Sequence, residues 1–490
     1  MRAPTNYQIS EREISFHPHS YGDPDGRLFW WNGQLYRAIS QEKTPFFRQL
    51  FRGGVIQDLM DRGVLVPSEL TELSLYGYGM VVRHRSVPFV SYPQEWCAAM
   101  LKDAALAYLD LVSELLPRGL TLRDAHPWNL LFEGSKPVYV DVTSIRAPTD
   151  DFKYLSYDKF CRYYRYPLML MSQGQERIAR HLLPDYEGIL DSHLCLLTRK
   201  PVSLISLSSL KNRFATALEQ RVPEAYRGQL KSGFRSVLSL FRKESRGQNS
   251  RLDHLRRLRS EIESIPLPDS RAERSNRDAN SVPLSQDALS LIQQSLHHVI
   301  TELRPDSLLV IGTKLGECSR SAALAGKKVV SFDKDSTYVT QLYYEARAKN
   351  LPLLPLVMDF TDPTPSRGLS SHLCVAAAER LQCDVVVALA LVNQVVSERY
   401  LRFDQIVDGL AQFAKRWLII DFIPRNISQE NSHECSWYTR DNFFNALRNR
   451  FRTVTLLSSH RESYPLLLCE KENSAPAASH SDFGNSVETR

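Results

Sequence analysis

The sequence predicts a two-part protein: a carboxyl-terminal α/β part built on a mostly parallel sheet with a Rossmann-like arrangement, and an α+β amino-terminal part continued by helices. Three observations carry this. From Leu308 onward, continuous apolar runs alternate with amphipathic stretches, the pattern of parallel strands covered on both faces. Before residue 150, aromatic and β-branched runs flank turn signals and are followed by one long amphipathic stretch. Between the parts, residues 266–283 (PLPDSRAERSNRDANSVP) are polar, proline-flanked and nearly free of apolar side chains, as a linker is.

The carboxyl-terminal part is organised around residues 308–333. An apolar run, Leu308 to Ile311, meets a turn with glycines at 312 and 316, then a small-residue helix signal, a stop at Gly326, and a second apolar run ending on Asp333. In an open parallel sheet a ligand sits beyond the carboxyl ends of the strands, where glycines let the backbone approach and a helix amino terminus offers unpaired N–H groups. An acid closing the second strand can accept both hydroxyls of a ribose. Dinucleotides and S-adenosylmethionine share this grammar. The spacing here, Gly312-Thr313-Lys314-Leu315-Gly316, lacks the dinucleotide GxGxxG and fits the GxGxG loop of S-adenosylmethionine enzymes with its middle glycine replaced. Asp333 is read as the ribose acid. Asp359 and Phe360, after the next apolar run, are read as the adenine side, one accepting from the amino group and one packing on the ring. Lys314 either pairs with the cofactor carboxylate or fills its pocket, and Val310 stands where many such sites carry an acid. Asn393 and Gln394, after the fourth run, sit where the acceptor approaches. Neither is a general base, and methyl transfer to an amine or an ionised oxygen needs mostly alignment.

Composition bounds the rest. The 490 residues suggest roughly two to four domains, and 43% hydrophobic content gives each a core. A net charge of +6 without a concentrated Lys/Arg stripe gives no reason to expect nucleic acid. The eight cysteines form no CxxC pair or close cluster, which argues against a zinc site or a disulfide framework and for a reducing compartment. No stretch approaches the roughly 20 apolar residues of a membrane span, and no signal-peptide core opens the chain, so a cytoplasmic location is expected.

Taken in order, residues 1–25 are polar and expected to be flexible. A hairpin is expected about Asn32-Gly33, a helix over Thr44 to Asp61, a β pair over Leu73 to Phe89, and a long helix over Trp96 to Leu116. Asp124 and Asn129 then precede a hairpin at Glu133-Gly134-Ser135 and a strand ending on Asp141. Protein kinases and small-molecule phosphotransferases place a base, a metal-binding amide and a metal-binding carboxylate in this order. Residues 26–150 therefore read as kinase-like, with Asp124 as base and Asn129 and Asp141 as magnesium ligands for ATP if the site is active. Leu122 replaces the usual His, no glycine-rich loop precedes the region, Val-Thr follows Asp141, and no lysine stands at the usual place after Tyr36, where Arg37 lies nearest. The other reading is a retained structural turn. Residues 151–265 read as helical, including CRYYRYPLMLM, Val202 to Leu218 and Leu252 to Ile265. Residues 284–472 carry the sheet: a lead-in helix to Leu303, strands at 308–311, 329–332, 354–358, 384–391 and 417–422, helices at 336–348, about 373–381, 403–414 and 439–447, and a closing β pair at 454–457 and 464–469. Residues 473–490 are expected to be disordered.

The segments YPQEWCAAMLKDAAL, GLTLRDAHPWNLLFEGSKPVYVDVTSI, FCRYYRYPLMLM, LRRLRSEIESIPLP, LPLVMDFTDPTP, CDVVVALALVNQVV and RWLIIDFIPR run from Tyr92 to Arg425 in one order. Through them the chain resembles the NoeA-like (host-specific nodulation protein) family of class I methyltransferases, which join a kinase-like region to a methyltransferase domain with a mostly parallel seven-stranded sheet. That resemblance implies S-adenosylmethionine as cofactor and methyl transfer to a small-molecule or carbohydrate-like acceptor. The family tends to have a small residue at 314, an acid at 310, and a His pair at 393 and 394. Two alternatives stay open: an ATP- and magnesium-dependent phosphotransferase acting through the amino-terminal region, and a non-catalytic scaffold of two worn enzyme folds.

Overall fold

The structure, a computed structural model, describes residues 7–17, 20, 22–148, 155–198, 248–267, 286–312, 316–371, 373–424, 436–457 and 465–472. Lys314, the expected helix at 202–218, most of the linker at 266–283 and the tail at 473–490 lie outside the described residues. By compactness the chain divides into two units: residues 1–281 with 330–380, and residues 282–329 with 381–490.

The first unit opens with a five-stranded sheet in the order Ser15–Phe16, Gly26–Trp31, Gln34–Ser40, Tyr78–His84, Ser68–Leu70. Its pairings are antiparallel. Asn32 and Gly33 both take positive φ, 49° and 70°, so the hairpin turns in two residues with the twist its strands need. Phe29, Trp31, Tyr36, Ala38, Leu75 and Val81 fill the core beneath. Two expectations are corrected here. Residues 44–61 form two helices, Thr44–Arg52 and Val55–Asp61, because Gly54 adopts a left-handed φ of 78° between them. The expected pair over 73–89 separates: Tyr78–His84 joins the main sheet, whereas Ser74–Leu75 pairs in parallel with Gln8–Ile9.

The helix Ala98–Leu115 buries Met100, Leu101, Tyr108, Leu111 and Leu115 among others, since its apolar residues wrap most of its circumference. A turn of 3₁₀ helix, Pro127–Asn129, leads into the hairpin Leu130–Glu133 and Lys136–Tyr139. The strand expected to end on Asp141 ends on Tyr139, and Asp141 precedes another 3₁₀ turn, Val142–Ser144. CRYYRYPLMLM is helical, its first five residues wound as a π-helix. Helix Gln248–Ser264 returns to the long helix through Arg259, whose Nε donates to Asp110 Oδ1 at 2.8 Å.

Seven strands form the carboxyl-terminal sheet: Ser307–Ile311, Lys328–Asp333, Leu353–Val357, Cys383–Ala388, Ala414–Asp421, Thr453–Leu456 and Leu466–Glu470. Numbered in chain order they lie side by side as 3-2-1-4-5-7-6. First against fourth and fourth against fifth are parallel; the seventh is antiparallel to both neighbours. The first strand is buried at all five residues and the fourth at all but Asp384, as a layer covered on both faces requires. Pro355 is tolerated in the third strand because that strand is an edge. Among the described residues, no helix is long and apolar enough to cross a membrane.

Candidate functional site

In the second unit the first strand ends at Ile311, and Gly312 follows with φ +93°. A Cβ at 312 would meet no atom of the described residues within 4 Å, so the glycine answers to the backbone conformation. The helix Gly316–Leu324 begins four residues later. The fourth strand, which neighbours the first, ends at Ala388. There the strand order reverses, the position at which doubly wound sheets bind ligands. Ala390 bends the chain with φ 56°, and its N–H donates to Asp421 Oδ1 at 2.8 Å. Asp421 closes the fifth strand and is buried. Burial pushes its carboxyl up to about 7, against the pull of the backbone N–H donors. Sequence reasoning passed over Asp421, although it ends an apolar run (WLIID) as Asp333 and Asp359 do.

Asn393 and Gln394 lie on the helix Leu391–Arg399, inside a stretch with no expected helix. Asn393 is half-buried, whereas Gln394 is exposed and donates to Glu398 at 3.1 Å along its own helix. Past the fifth strand, Phe403, Phe422, Tyr438 and Phe443 pack ring against ring. Trp437 joins them at 4.9 Å from Phe403, with the Arg402 guanidinium over its face.

The two acids read as nucleoside contacts belong to the first unit. Asp333 ends the second strand, and its Oδ1 accepts the Asp335 N–H at 2.8 Å; Asp335 in turn caps the helix Ser336–Ala348 through the Thr337 N–H. Asp359 follows the third strand, and its Oδ1 accepts both the N–H and the hydroxyl of Thr361, each at 2.8 Å. The Met358 N–H donates to the Asp333 carbonyl at 2.9 Å, which ties the two strand ends together. Phe360 is half-buried beside them.

The amino-terminal trio is arranged differently. Asn129 donates to Asp124 Oδ1 at 3.4 Å and to the Tyr139 hydroxyl at 3.3 Å. Lys159 stands 3.7 Å from Asp124. Asp141 faces Arg37: guanidinium and carboxylate are 3.1 Å apart, and Thr143 donates to Asp141 Oδ1 at 2.7 Å. The same Arg37 nitrogen pairs with Asp23 at 2.8 Å, and Arg123 reaches Asp23 at 3.1 Å. The Arg37 side chain is 6% exposed. A fixed cation thus pairs with Asp141, and among the described residues no group of three or more acids, histidines and cysteines is placed to hold a metal. Asp23 and Thr143 were not singled out in sequence; the Thr after Asp141 was the available sign.

No family model matches the chain. Aligned over 452 residues, 89% of this chain and 92% of the relative, it is 25% identical to nodulation protein NoeA of Rhizobium meliloti strain 1021. The chain is a homologue of NoeA. Among solved structures it is similar to magnesium protoporphyrin IX methyltransferase (ChlM) of Synechocystis PCC 6803 with bound SAM, at 16% identity over 39% of this chain and 87% of that one, TM-score 0.27. It is also similar to the bifunctional kinase-methyltransferase WbdD, at 14% identity over 38% of this chain and 40% of that one, TM-score 0.28.

Proposed function

We propose that the chain is an S-adenosylmethionine-dependent methyltransferase acting on a small-molecule or carbohydrate-like acceptor. The observation that carries this reading is the strand order 3-2-1-4-5-7-6 with an antiparallel seventh strand. A plain dinucleotide fold ends on parallel strands. Gly312 keeps the first turn low enough for the cofactor's amino-acid end, Asp333 accepts the ribose hydroxyls, and Asp359 with Phe360 takes the adenine. The two acids fit that use because each carboxylate is already aimed by N–H groups of its own turn. Lys314 and Gly316 complete the loop. Asn393 and Gln394 are assigned to the acceptor side, beside the bend that Asp421 fixes at Ala390. Bound S-adenosylmethionine supplies the electrophilic methyl group; the protein supplies alignment and a dry surface. A carbohydrate-like acceptor suits a relative named for nodulation.

Calorimetric titration with S-adenosylmethionine and S-adenosylhomocysteine tests the reading. Saturable heat for both is expected, and no heat at millimolar ligand ends it. The amino-terminal half is assigned a structural role. The observation that favours this over phosphotransfer is the Arg37–Asp141 pair, and magnesium-dependent ATP hydrolysis that vanishes in Asp141→Asn overturns it.

A further inference from the structure

Residues 330–380, which carry Asp333 and Asp359, are compact with the amino-terminal region rather than with the rest of the sheet. Three contacts account for that, and each falls on a different piece of the nucleoside side. The first is on the helix that follows Asp333. Its Tyr343 hydroxyl donates to Asp103 Oδ2 at 2.5 Å, and its Arg347 pairs with the same oxygen at 2.7 Å. Asp103 sits on the long helix Ala98–Leu115. The second is on the approach to the third strand. Gly134, at the tip of the hairpin, lies so close that a Cβ there would stand 2.8 Å from the Leu351 carbonyl oxygen, and its φ of 60° also calls for glycine.

The third contact holds the stretch after Asp359. The Val375 N–H donates to the Tyr92 hydroxyl at 2.9 Å, and Arg380 forms an ion pair with Glu95. Both side chains of that pair are buried, at 5% and 1% exposure. Arg380 also donates to the carbonyls of Val90 and Val375 and lies over the Tyr92 ring, 4.3 Å from its centre. The effect passes inward: the Ala377 N–H donates to the Thr364 carbonyl at 2.8 Å, and the Asp362 N–H to the Asp359 carbonyl at 3.1 Å. The described residues of 358–376 contain no α-helix, only isolated bridges and the 3₁₀ turn Leu369–Ser371, so such partners outside the stretch add to the few hydrogen bonds that hold it.

We propose that the amino-terminal region is a built-in positioning partner of the cofactor's nucleoside side, with Tyr92, Glu95 and Arg380 as positioning residues that hold Asp359 in place without touching ligand. This rests on the methyltransferase reading above. It gives the amino-terminal region, whose Asp141 is paired with Arg37, a role toward residues 330–380 of its own unit.

The test uses the full chain and two mild variants, Tyr92→Phe and Glu95→Gln, with Leu75→Ala in the core of the five-stranded sheet as the control for general destabilisation. S-adenosylhomocysteine affinity is measured by calorimetry, adenosine affinity by competition, and amide exchange at 333–336 and 359–362 without ligand. The expected result is an affinity loss of about 5-fold or more in both variants. Adenosine loses the same factor, exchange quickens at those amides, and Leu75→Ala changes neither. Unchanged affinity in both variants overturns the proposal, and so does an equal loss in Leu75→Ala. If the unaltered chain binds no S-adenosylhomocysteine, the methyltransferase reading falls and takes this one with it; if it binds and the variants bind equally, only this one falls.

Discussion

The chain carries two sets of carboxylates at strand ends and turns, and they are held by opposite means. In the carboxyl-terminal sheet Asp333 and Asp359 each accept hydrogen bonds from the turn that follows them, which orients the carboxylates. In the amino-terminal region Asp23 and Asp141 share the Arg37 guanidinium, so the charge is spent inside the protein. Backbone donors of its own turn aim a carboxylate, whereas a buried guanidinium is a fixed partner of opposite charge. The same residue type is therefore proposed as a ligand contact in one region and forms a structural tie in the other.

Breaking the tie gives the largest effect. Arg37→Ala leaves Asp141 without the cation it shares with Asp23, which keeps Arg123, and breaking a buried pair from one side costs about 3–5 kcal/mol. Urea unfolding is expected to show a loss of that size. Adding Asp141→Asn to the alanine variant should recover part of it, because one stranded charge is removed. Additive losses in this cycle mean that the two residues are not coupled, and the contrast with the carboxyl-terminal acids disappears.

Asp421 is an intermediate case: a buried carboxyl with backbone donors and, among the described residues, no cation paired with it, pushed up to about 7 by burial. Folded, it holds its proton until near neutrality, whereas the unfolded chain releases it near the ordinary carboxylate pKa. Stability is thus lost as pH rises from about 4 to about 7 and stays low above that window. Asp421→Asn keeps an acceptor for the Ala390 N–H and has no proton to release. It should match the parent near pH 4 and exceed it at pH 8 by roughly 2–4 kcal/mol, read from denaturation midpoints at the two pH values. Parallel pH profiles for the two proteins rule the assignment out.

Asp333→Ala touches the other side of the comparison. The carboxylate proposed for the ribose accepts the N–H of Asp335 in its own turn, so under the proposed role its loss should fall mainly on ligand. S-adenosylhomocysteine affinity is expected to drop about 10- to 100-fold, the worth of hydrogen bonds to a charged group, with the melting temperature nearly unchanged. A large drop in melting temperature instead makes Asp333 a structural acid like Asp141.

How much of this is legible in sequence differs between the regions for a physical reason. The sheet announces itself locally: each buried parallel strand is an apolar run, and Asp333, Asp359 and Asp421 each close one. The helix Leu391–Arg399 is hidden because LVNQVV continues the apolar run of the fourth strand, and only the left-handed bend at Ala390 separates them. The break at Gly53-Gly54 is visible as a glycine pair. The Arg37–Asp141 tie is not visible, because it joins residues on a strand and a turn that only the folded chain brings together. Lysine missing from its usual place could be read in sequence, but not which acid the nearby arginine meets. Lys314 lies outside the described residues.

The smallest effect is expected at Gln394. Its side chain is exposed and spans one helical turn to Glu398, an arrangement worth about 0.2–0.5 kcal/mol on a helix surface. Asn393, one residue earlier on the same helix, is half-buried. If both serve the acceptor, they need not serve it equally: an exposed amide competes with water for every hydrogen bond it makes, whereas a half-buried one is desolvated in advance. Gln394→Ala should therefore lower kcat/KM for methyl transfer by about 2-fold or less, and Asn393→Ala by about 10-fold, the net worth of one well-placed hydrogen bond. A larger loss at 394 than at 393 reverses the order and moves the acceptor to the outer face of the helix, away from the bend that Asp421 holds.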